Sequence, residues 1–329
     1  MNSKHSAPVA HPEFTKNSRS LELEILRANP GTILFLVGLS GAGKTWIRRT
    51  VARKLFGQLR LWPKGKLPYI EAMAILADRG YFSPKDLALA MLEQINSPDI
   101  EWLYKDPDED PSIFIDEENA VARMRQAWMR ERSPATEREA WRLAISSGRH
   151  RQLQLASIEH ASLMVQNRKN GTAVQHTLNL MSIATSMGAS VILTTTPEGC
   201  DLWKSYPEIS RRAVYVFINP YDLQSKQGMK NFAVLLKKLA EPFTFEPIDL
   251  PLILISAIGQ ATQTTPGGIH RLFQRASVIA QLRGSQAISR TDLQKAFPSH
   301  AEAFALEKSA KLLCDLQTPF SHSSLKEPK

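Results

Sequence analysis

The chain has 329 residues, of which 43% are hydrophobic and 22% are charged. This length and composition are typical of one large globular domain, or of two smaller ones that each bury their own core. Lysine and arginine total 41 against 32 acidic residues, and the resulting formal net charge of +9 favours a polyanionic partner. The only two cysteines, Cys200 and Cys314, lie far apart, which excludes a disulfide framework and a cysteine zinc site.

The N-terminal residues and the apolar runs predict where the protein works. No apolar run approaches the roughly 18 residues that span a bilayer, and the first residues lack the apolar segment of a secretion signal. We therefore expect a cytoplasmic protein with no membrane partner. Residues 1–18 are polar with scattered proline and histidine, and they are predicted to form a flexible N-terminal arm.

A complete phosphate-binding loop, GLSGAGKT, occupies residues 38–45. It follows the apolar run 32–37 and precedes a predicted helix over 46–55, which is the strand, loop and helix order that the motif requires. Its glycines let backbone N–H groups surround the phosphates, Lys44 reaches the β- and γ-phosphate oxygens, and Thr45 offers a hydroxyl to Mg²⁺. The predicted nucleotide-binding residues are Gly38, Leu39, Ser40, Gly41, Ala42, Gly43, Lys44, Thr45 and Trp46. The sequence thus predicts binding of ATP with Mg²⁺.

Strands and helices alternate up to Pro220, which predicts a parallel α/β sheet. After the loop, the strands are expected at 67–71, 153–158, 191–195 and 214–218, with helices at 84–95 and within 165–187. Beyond Pro220 helices dominate, at 231–240, 250–260, 268–282 and 289–297.

An α/β core followed by a small helical bundle resembles the layout of AAA+ ATPases. The predicted fold is therefore an AAA+ P-loop NTPase core with a parallel sheet plus a small C-terminal helical lid domain. The nucleotide-binding domain is expected at 19–222, the lid at 223–317 and a disordered tail at 318–329. An arginine-rich insertion at about 98–151 interrupts the first domain.

This insertion is the most basic part of the chain. From residue 121 to residue 151, eight arginines stand against three acidic residues, with Trp128 and Trp141 interleaved. Arginines with aromatic residues among them suit a surface that binds a phosphate backbone. A solvated helix face with side-chain pairs four residues apart explains the same pattern equally well.

Two segments compete to supply the carboxylate that binds Mg²⁺ at the end of a second strand. Asp116, in the run IFIDEE, is the better chemical match, whereas Glu159, in LASIEH, is better placed in the topology. We choose Glu159 because one helix separates it from the strand at 191–195, as in AAA+ domains. Asp116 is retained as the alternative, although a helix N-cap also explains it.

His160 then stands where a catalytic glutamate is usual, so hydrolysis is expected to be slow or to use a carboxylate from elsewhere. Capping of the strand end is an equally good interpretation of His160. Polar residues at the end of the strand 191–195 occupy the sensor-1 position, and two arginines before the last strand occupy the place of an arginine finger that acts on a neighbouring subunit. With a sensor-2 arginine in the lid, the predicted catalytic residues are Glu159, His160, Thr195, Thr196, Arg211, Arg212 and Arg271.

These motifs together resemble the AAA+ transposition regulators of the TnsC/TniB type, relatives of MuB. The likeness covers about residues 22–297 and rests on GLSGAGKT, SIEHASLM, ILTTTPEG, PEISRR and GGIHRLF. The length resembles that of TnsC in CRISPR-associated transposons. The resemblance implies a homo-oligomer, as a ring or filament, that assembles with ATP on double-stranded DNA and couples a TniQ-type target selector to a TnsA/TnsB-type transposase.

The same resemblance places DNA-binding residues on loops that face the pore of a ring. The candidates are Arg123, Arg125, Arg130, Arg132, Arg168 and Lys169. Two other functions stay open from the residues alone. One is a stand-alone P-loop NTPase or kinase that acts on a small molecule, and the other is a nucleotide-switched signalling ATPase without DNA.

Overall fold

The computed structural model describes residues 11–77, 80–104, 136–166 and 172–318. The strands are β1 Ile33–Gly38, β2 Tyr69–Met73, β3 Leu155–Glu159, β4 Ser190–Thr195 and β5 Ala213–Ile218. The helices are α1 Pro12–Arg27, α2 Lys44–Phe56, α3 Pro84–Asn96, α4 Glu101–Tyr104, α5 Glu137–His150, α6 Ala173–Met187, α7 Pro207–Arg212, α8 Lys226–Ala240, α9 Leu250–Ile253, α10 Ile255–Thr262, α11 Pro266–Leu282, α12 Arg290–Ala296 and α13 His300–Asp315. Short 3₁₀ turns lie at Leu59–Leu61, Ala161–Val165 and Pro197–Leu202. The chain divides into two compact units, Met1–Ile218 and Asn219–Lys329.

The first unit is built on a parallel sheet with the strand order β2-β3-β4-β1-β5. Strand β1 lies between β4 and β5, and its Val37 is in register with Thr195 of β4 and Phe217 of β5. All residues of β1 are buried, as expected of a parallel strand that is covered on both faces. The carboxyl ends of β1, β3 and β4 therefore lie at one edge of the sheet. This arrangement confirms the predicted α/β fold.

Helix α1 begins at Pro12, inside the segment that the sequence predicts as a flexible arm. Proline occupies the first helical turn, and the imidazole of His11 accepts a hydrogen bond from the backbone N–H of Phe14 at 3.2 Å. Only Asn17 and Leu21 are buried on this helix. The apolar stripe is thus too narrow to be recognised from hydrophobic periodicity.

The end of the arginine-rich insertion forms α5. Its buried residues, Ala140, Ala144 and Gly148, are spaced four apart and make one small-residue face. The helix packs against α3 and α6, and Gly148 lies against Met187 of α6. Arg138 and Arg142 are exposed on this helix. Exposed arginines agree with both interpretations of the insertion, the solvated face and the phosphate-binding surface, and residues 105–135 lie outside the described residues.

The second unit is helical and has an aromatic core. Phe245 and Phe273 meet edge to face with ring centroids 5.1 Å apart, and Phe232 is fully buried in the same unit. The helix predicted at 250–260 is interrupted at Leu254, where the backbone leaves helical geometry and separates α9 from α10. No helix in the described ranges is long and apolar enough to cross a membrane.

Candidate nucleotide-binding site

The phosphate loop joins β1 to α2 through a backbone that two glycines make possible. Gly41 and Gly43 have φ angles of +77° and +85°, a left-handed conformation that side chains disfavour. Gly38 is needed for a different reason, because a Cβ there would lie 3.0 Å from the Cβ of Ile218 on the neighbouring strand. Leu39 is buried, so its side chain belongs to the core and only its backbone can serve a ligand.

Lys44 is the first residue of α2 and folds back onto the loop. Its Nζ donates hydrogen bonds of 2.7 Å to the carbonyl oxygens of both Gly38 and Leu39. Burial lowers the pKa of Lys44 to about 8, although the carboxylates of Glu159 and Glu198 act in the opposite direction. The ammonium therefore lies at the carboxyl edge of the sheet, where the N-terminus of α2 also favours a phosphate.

Glu159 ends β3 at this same edge and is 6% exposed. Its Oε1 accepts from Nε of Arg48 at 2.8 Å, and a second guanidinium nitrogen lies 2.6 Å from the same oxygen. Arg48 is almost completely buried and also donates to the hydroxyl of Tyr69 and to Glu71 at 2.7 Å. Burial lowers the pKa of Arg48, but Tyr69, Glu71 and Glu159 together raise it above its usual range.

Arg49, the next residue on α2, binds the carboxylate of Glu71 from the more exposed side. Arg49 donates to both oxygens of Glu71, at 3.2 Å and 3.0 Å, and its guanidinium lies 4.7 Å from the ring centre of Trp102. Burial raises the pKa of Glu71, but its hydrogen bonds with Arg48 and Arg49 hold it below its usual range. The positive charges of two arginines thus compensate the negative charges of two carboxylates beside the phosphate loop.

His160 follows Glu159 in a conformation that is uncommon for a residue with a side chain. Its φ is +55° and ψ is 33°, it is exposed, and its carbonyl accepts from the N–H of Leu163 at 2.9 Å. Here the chain leaves β3 and enters the turn Ala161–Val165. A left-handed residue at that point ends the strand.

The end of β4 lies beside the loop because β4 pairs with β1. Thr195 is buried, and its hydroxyl donates to the carbonyl oxygen of Thr196 at 3.0 Å. Gly199 makes room for this side chain, since a Cβ at residue 199 would lie 2.0 Å from Oγ1 of Thr195. Glu198 is exposed in the same turn and is close enough to Lys44 to raise the pKa of the lysine.

The remaining predicted residues are placed separately. Arg211 and Arg212 are exposed at the end of α7, where Arg212 lies 3.4 Å from Glu208. Arg271 is exposed on α11 in the second unit. The residues that lie outside the described ranges are Asp116, Arg123, Arg125, Arg130, Arg132, Arg168 and Lys169.

The oxygen donors at this edge suit a magnesium ion that arrives with a nucleotide. Mg²⁺ prefers oxygen ligands and is usually held by one or two carboxylates together with substrate phosphates. Thr45 has an exposed position at the start of α2, and Glu159 supplies a carboxylate. Within the described ranges, no group of three or more histidine, cysteine, aspartate or glutamate residues is placed to hold a metal without such a ligand.

Sequence reasoning did not find Arg48, Tyr69, Glu71 or Glu198. Arg48 has one signal in the sequence, because it lies four residues after Lys44 and therefore on the same side of α2. Nothing in the sequence indicates that Arg48 is buried, because arginine is rarely buried unless it is paired and its partners are distant in the chain.

No protein-family model and no curated protein matches the chain. Solved structures do match. The Aeropyrum pernix ORC2 protein, in its ADPNP and ADP complexes, has a TM-score of 0.54 and 12% identity, with 89% of this chain and 69% of that chain covered. A Walker-type ATPase of Pyrococcus abyssi is 17% identical over 92% of this chain and 73% of its own, with a TM-score of 0.49.

Cdc6p from Pyrobaculum aerophilum is 14% identical, and the match covers 98% of this chain and 86% of that chain with a TM-score of 0.45. At these identities the likeness is one of fold, and the ORC2 match supports it best. The sheet order and this match agree on one conclusion: the chain shares the parallel α/β fold of the Aeropyrum pernix ORC2 protein.

Proposed function

We propose that this protein is an ATP-dependent, DNA-binding AAA+ regulator that oligomerises on duplex target DNA and links target selection to the transposase in DNA transposition. One observation carries the nucleotide part of the proposal. Lys44 and Thr45 open α2 at the same sheet edge where β3 ends in Glu159 and β4 in Thr195.

Each of these residues then binds or senses part of the Mg²⁺–ATP complex. Lys44 and the N-terminus of α2 bind the phosphates, while Thr45 and Glu159 hold Mg²⁺, which neutralises phosphate charge when bound. Thr195 or Thr196 serves as the sensor of the γ-phosphate. Because an exposed histidine follows Glu159, hydrolysis is slow and ATP acts mainly as a signal for assembly.

Assembly completes the site in this proposal. Arg211 or Arg212 of one subunit reaches the ATP of its neighbour and offsets the charge of the phosphates. Both arginines are exposed and lie at the end of a short helix, which makes them accessible to another subunit. Arg271, on the lid helix, is the proposed sensor 2.

DNA as the polyanionic partner is supported by the net charge of +9 and by the arginine-rich segment. Arg123, Arg125, Arg130, Arg132, Arg168 and Lys169 remain the proposed DNA contacts. The TniQ-type selector and the TnsA/TnsB-type transposase are proposed as partners on the resemblance of the sequence motifs alone.

The test is fluorescence anisotropy of a labelled random-sequence duplex, titrated with protein plus ATP, ADP or a slowly hydrolysed ATP analogue. Tight binding with ATP or the analogue only, and its loss in Lys44→Ala, is the expected result. Affinity should also fall steeply with salt, because each neutralised phosphate releases counterions. Equal weak binding under all conditions would overturn the proposal.

A charge-matched pair of variants separates DNA contact from general attraction. The double variant Arg168→Ala/Lys169→Ala and the double variant Lys226→Ala/Lys230→Ala each remove two positive charges, and both lysines of the second pair are exposed on α8. Only the first variant should weaken DNA binding and reduce its salt dependence. Equal losses would show that net charge alone attracts DNA.

A nucleotide-switched ATPase that contacts only protein is the second candidate, and His160 after Glu159 favours it. This function predicts ATP-dependent oligomers, seen by sedimentation, with no DNA binding in the anisotropy titration. Rapid turnover by a monomer without DNA would instead favour a stand-alone NTPase or kinase.

A further inference from the structure

Arg48 forms its ion pair with one oxygen of the Glu159 carboxylate, Oε1. Its Nε and a terminal nitrogen lie 2.8 Å and 2.6 Å from Oε1. No hydrogen bond to Oε2 occurs among the residues that the structure describes. The carboxylate is therefore fixed through one oxygen, and the other is left to serve a ligand.

The guanidinium of Arg48 is held in place by burial and by further hydrogen bonds. It is 1% exposed, and Tyr69 and Glu71 accept its remaining hydrogen bonds. Glu71 is in turn held by Arg49. A planar guanidinium held on all sides in this way sets the direction of the carboxylate that it binds.

Lys44 and Arg48 are one helical turn apart on α2. The helix that presents the phosphate-binding lysine therefore also presents the side chain that orients Glu159. Phosphate site and carboxylate are connected through a rigid element, so their relative position is fixed before any nucleotide binds.

From this geometry we infer that Arg48 is a positioning residue for magnesium binding: by holding Oε1 of Glu159, it aims Oε2 at the ion that accompanies the nucleotide. Hydrogen bonds from a neighbouring group commonly orient a metal-binding carboxylate, and losing such a partner typically costs about 10- to 100-fold in metal affinity. The inference rests on nucleotide binding in the proposed function but not on DNA binding.

Two simpler roles make different predictions. If Arg48 only stabilises the fold, its loss lowers the melting temperature without changing how strongly Mg²⁺ promotes nucleotide binding. If Arg48 competes with Mg²⁺ for Glu159, its loss frees a carboxylate and increases the effect of Mg²⁺. A positioning role predicts a decrease.

The matched substitutions are Arg48→Lys and Arg53→Lys. Both residues lie on α2 and both substitutions keep the positive charge, but Arg53 is exposed and donates to the carbonyl oxygen of Trp102, whereas Arg48 contacts Glu159. Arg48→Gln, which keeps a donor without the charge, is a second variant in case lysine does not fold. The measurement is the affinity for a fluorescent, slowly hydrolysed ATP analogue in Mg²⁺ and in EDTA, with the melting temperature of each variant.

The ratio of the two affinities reports the contribution of Mg²⁺. We expect Arg48→Lys and Glu159→Gln to reduce this ratio about tenfold or more, mostly through the value in Mg²⁺, and Arg53→Lys to change it less than about twofold. An unchanged or increased ratio in Arg48→Lys overturns the inference, and so does an unchanged ratio in Glu159→Gln.

The outcomes also separate this inference from the proposed function. If the wild-type protein binds no nucleotide in either solution, the nucleotide part of the function fails and the inference fails with it. If the ratio responds as expected but duplex DNA is never bound, only the DNA part of the proposed function fails.

Discussion

The Nζ atom of Lys44 lies 2.7 Å from the carbonyl oxygen of Gly38, so the ammonium of the phosphate loop is held by the backbone of that same loop. A second bond of equal length joins it to Leu39. Since Lys44 is the first residue of α2, these bonds connect the end of β1 to the start of the helix. The loop is thus shaped by its own hydrogen bonds.

Lys44→Ala should weaken binding of ATP about 10- to 100-fold, because hydrogen bonds to a charged group contribute about 1.5–3 kcal/mol. Isothermal titration calorimetry with the slowly hydrolysed analogue measures the change. Lys54→Ala is the control, since Lys54 lies on the same helix but is exposed and paired with Glu22. Equal losses in both variants would assign the effect to helix charge and not to the loop.

The two arginines of α7 should differ as arginine fingers. Arg212 lies 3.4 Å from Glu208 in its own helix, whereas Arg211 makes no ion pair within the described parts of the chain. Arg211→Ala should therefore weaken ATP-dependent oligomers more than Arg212→Ala, and neither variant should alter ATP binding by the monomer. Sedimentation velocity with and without ATP tests the order, and a loss of monomer affinity would place the arginine in its own subunit's site.

Much of the fold can be predicted because buried parallel strands have continuous apolar sequences, and the phosphate-loop motif identifies the strand that precedes it as β1. The predicted order also holds in the structure, since β3, which ends in Glu159, and β4 are neighbours joined through α6. The ends of strands are harder to read from sequence, because tertiary burial and strand pairing decide them. The sequence predicts a strand at 67–71, whereas β2 covers Tyr69–Met73.

The ion pair in the site escaped prediction for a physical reason. Arg48 and Glu159 are 111 residues apart, and no local periodicity reports a contact over such a distance. Arg48 also lies among Arg49, Arg53 and Lys54, a pattern typical of a solvated helix face. Only the packing of α2 against the sheet shows that one of these cations is buried.

Gly199→Ala should disturb Thr195, the proposed sensor of the γ-phosphate. The added Cβ would lie 2.0 Å from Oγ1 of Thr195, so the hydroxyl must leave its bond to Thr196. Overpacking of this kind costs about 1–3 kcal/mol of unfolding free energy. Thermal melting measures the cost, and single-turnover hydrolysis measures the effect on Thr195.

A double variant tests the cause of that loss. Thr195→Ala/Gly199→Ala removes the clashing hydroxyl and should recover most of the stability that Gly199→Ala loses, which a double-mutant cycle reports as a coupling energy. Additive losses would show that the two positions act independently and that Gly199 is needed for its backbone.

The second unit should lose stability in acid because of Asp292. This carboxylate is 1% exposed, accepts from the N–H of Ser289 at 2.9 Å and from its hydroxyl at 2.6 Å, and binds Arg283 at 2.8 Å. The hydrogen bond from Arg283, followed by those from Ser289, holds the pKa of Asp292 well below its usual range. At pH values between the folded and the unfolded pKa of this residue, the unfolded chain therefore binds a proton that the folded chain does not.

The sign follows from this difference. The stabilisation is present above the pKa of an unfolded aspartate, about 3.9, and is lost as the pH falls toward the lower folded pKa. Asp292→Asn should reduce the unfolding free energy at pH 7 by about 1–3 kcal/mol and make stability less dependent on pH below about 4. Urea denaturation followed by circular dichroism at several pH values measures both effects. Asp249→Asn removes the same charge from an exposed residue of the same unit, so an equal change there would show that net charge, and not the bonds to Asp292, governs the acid sensitivity.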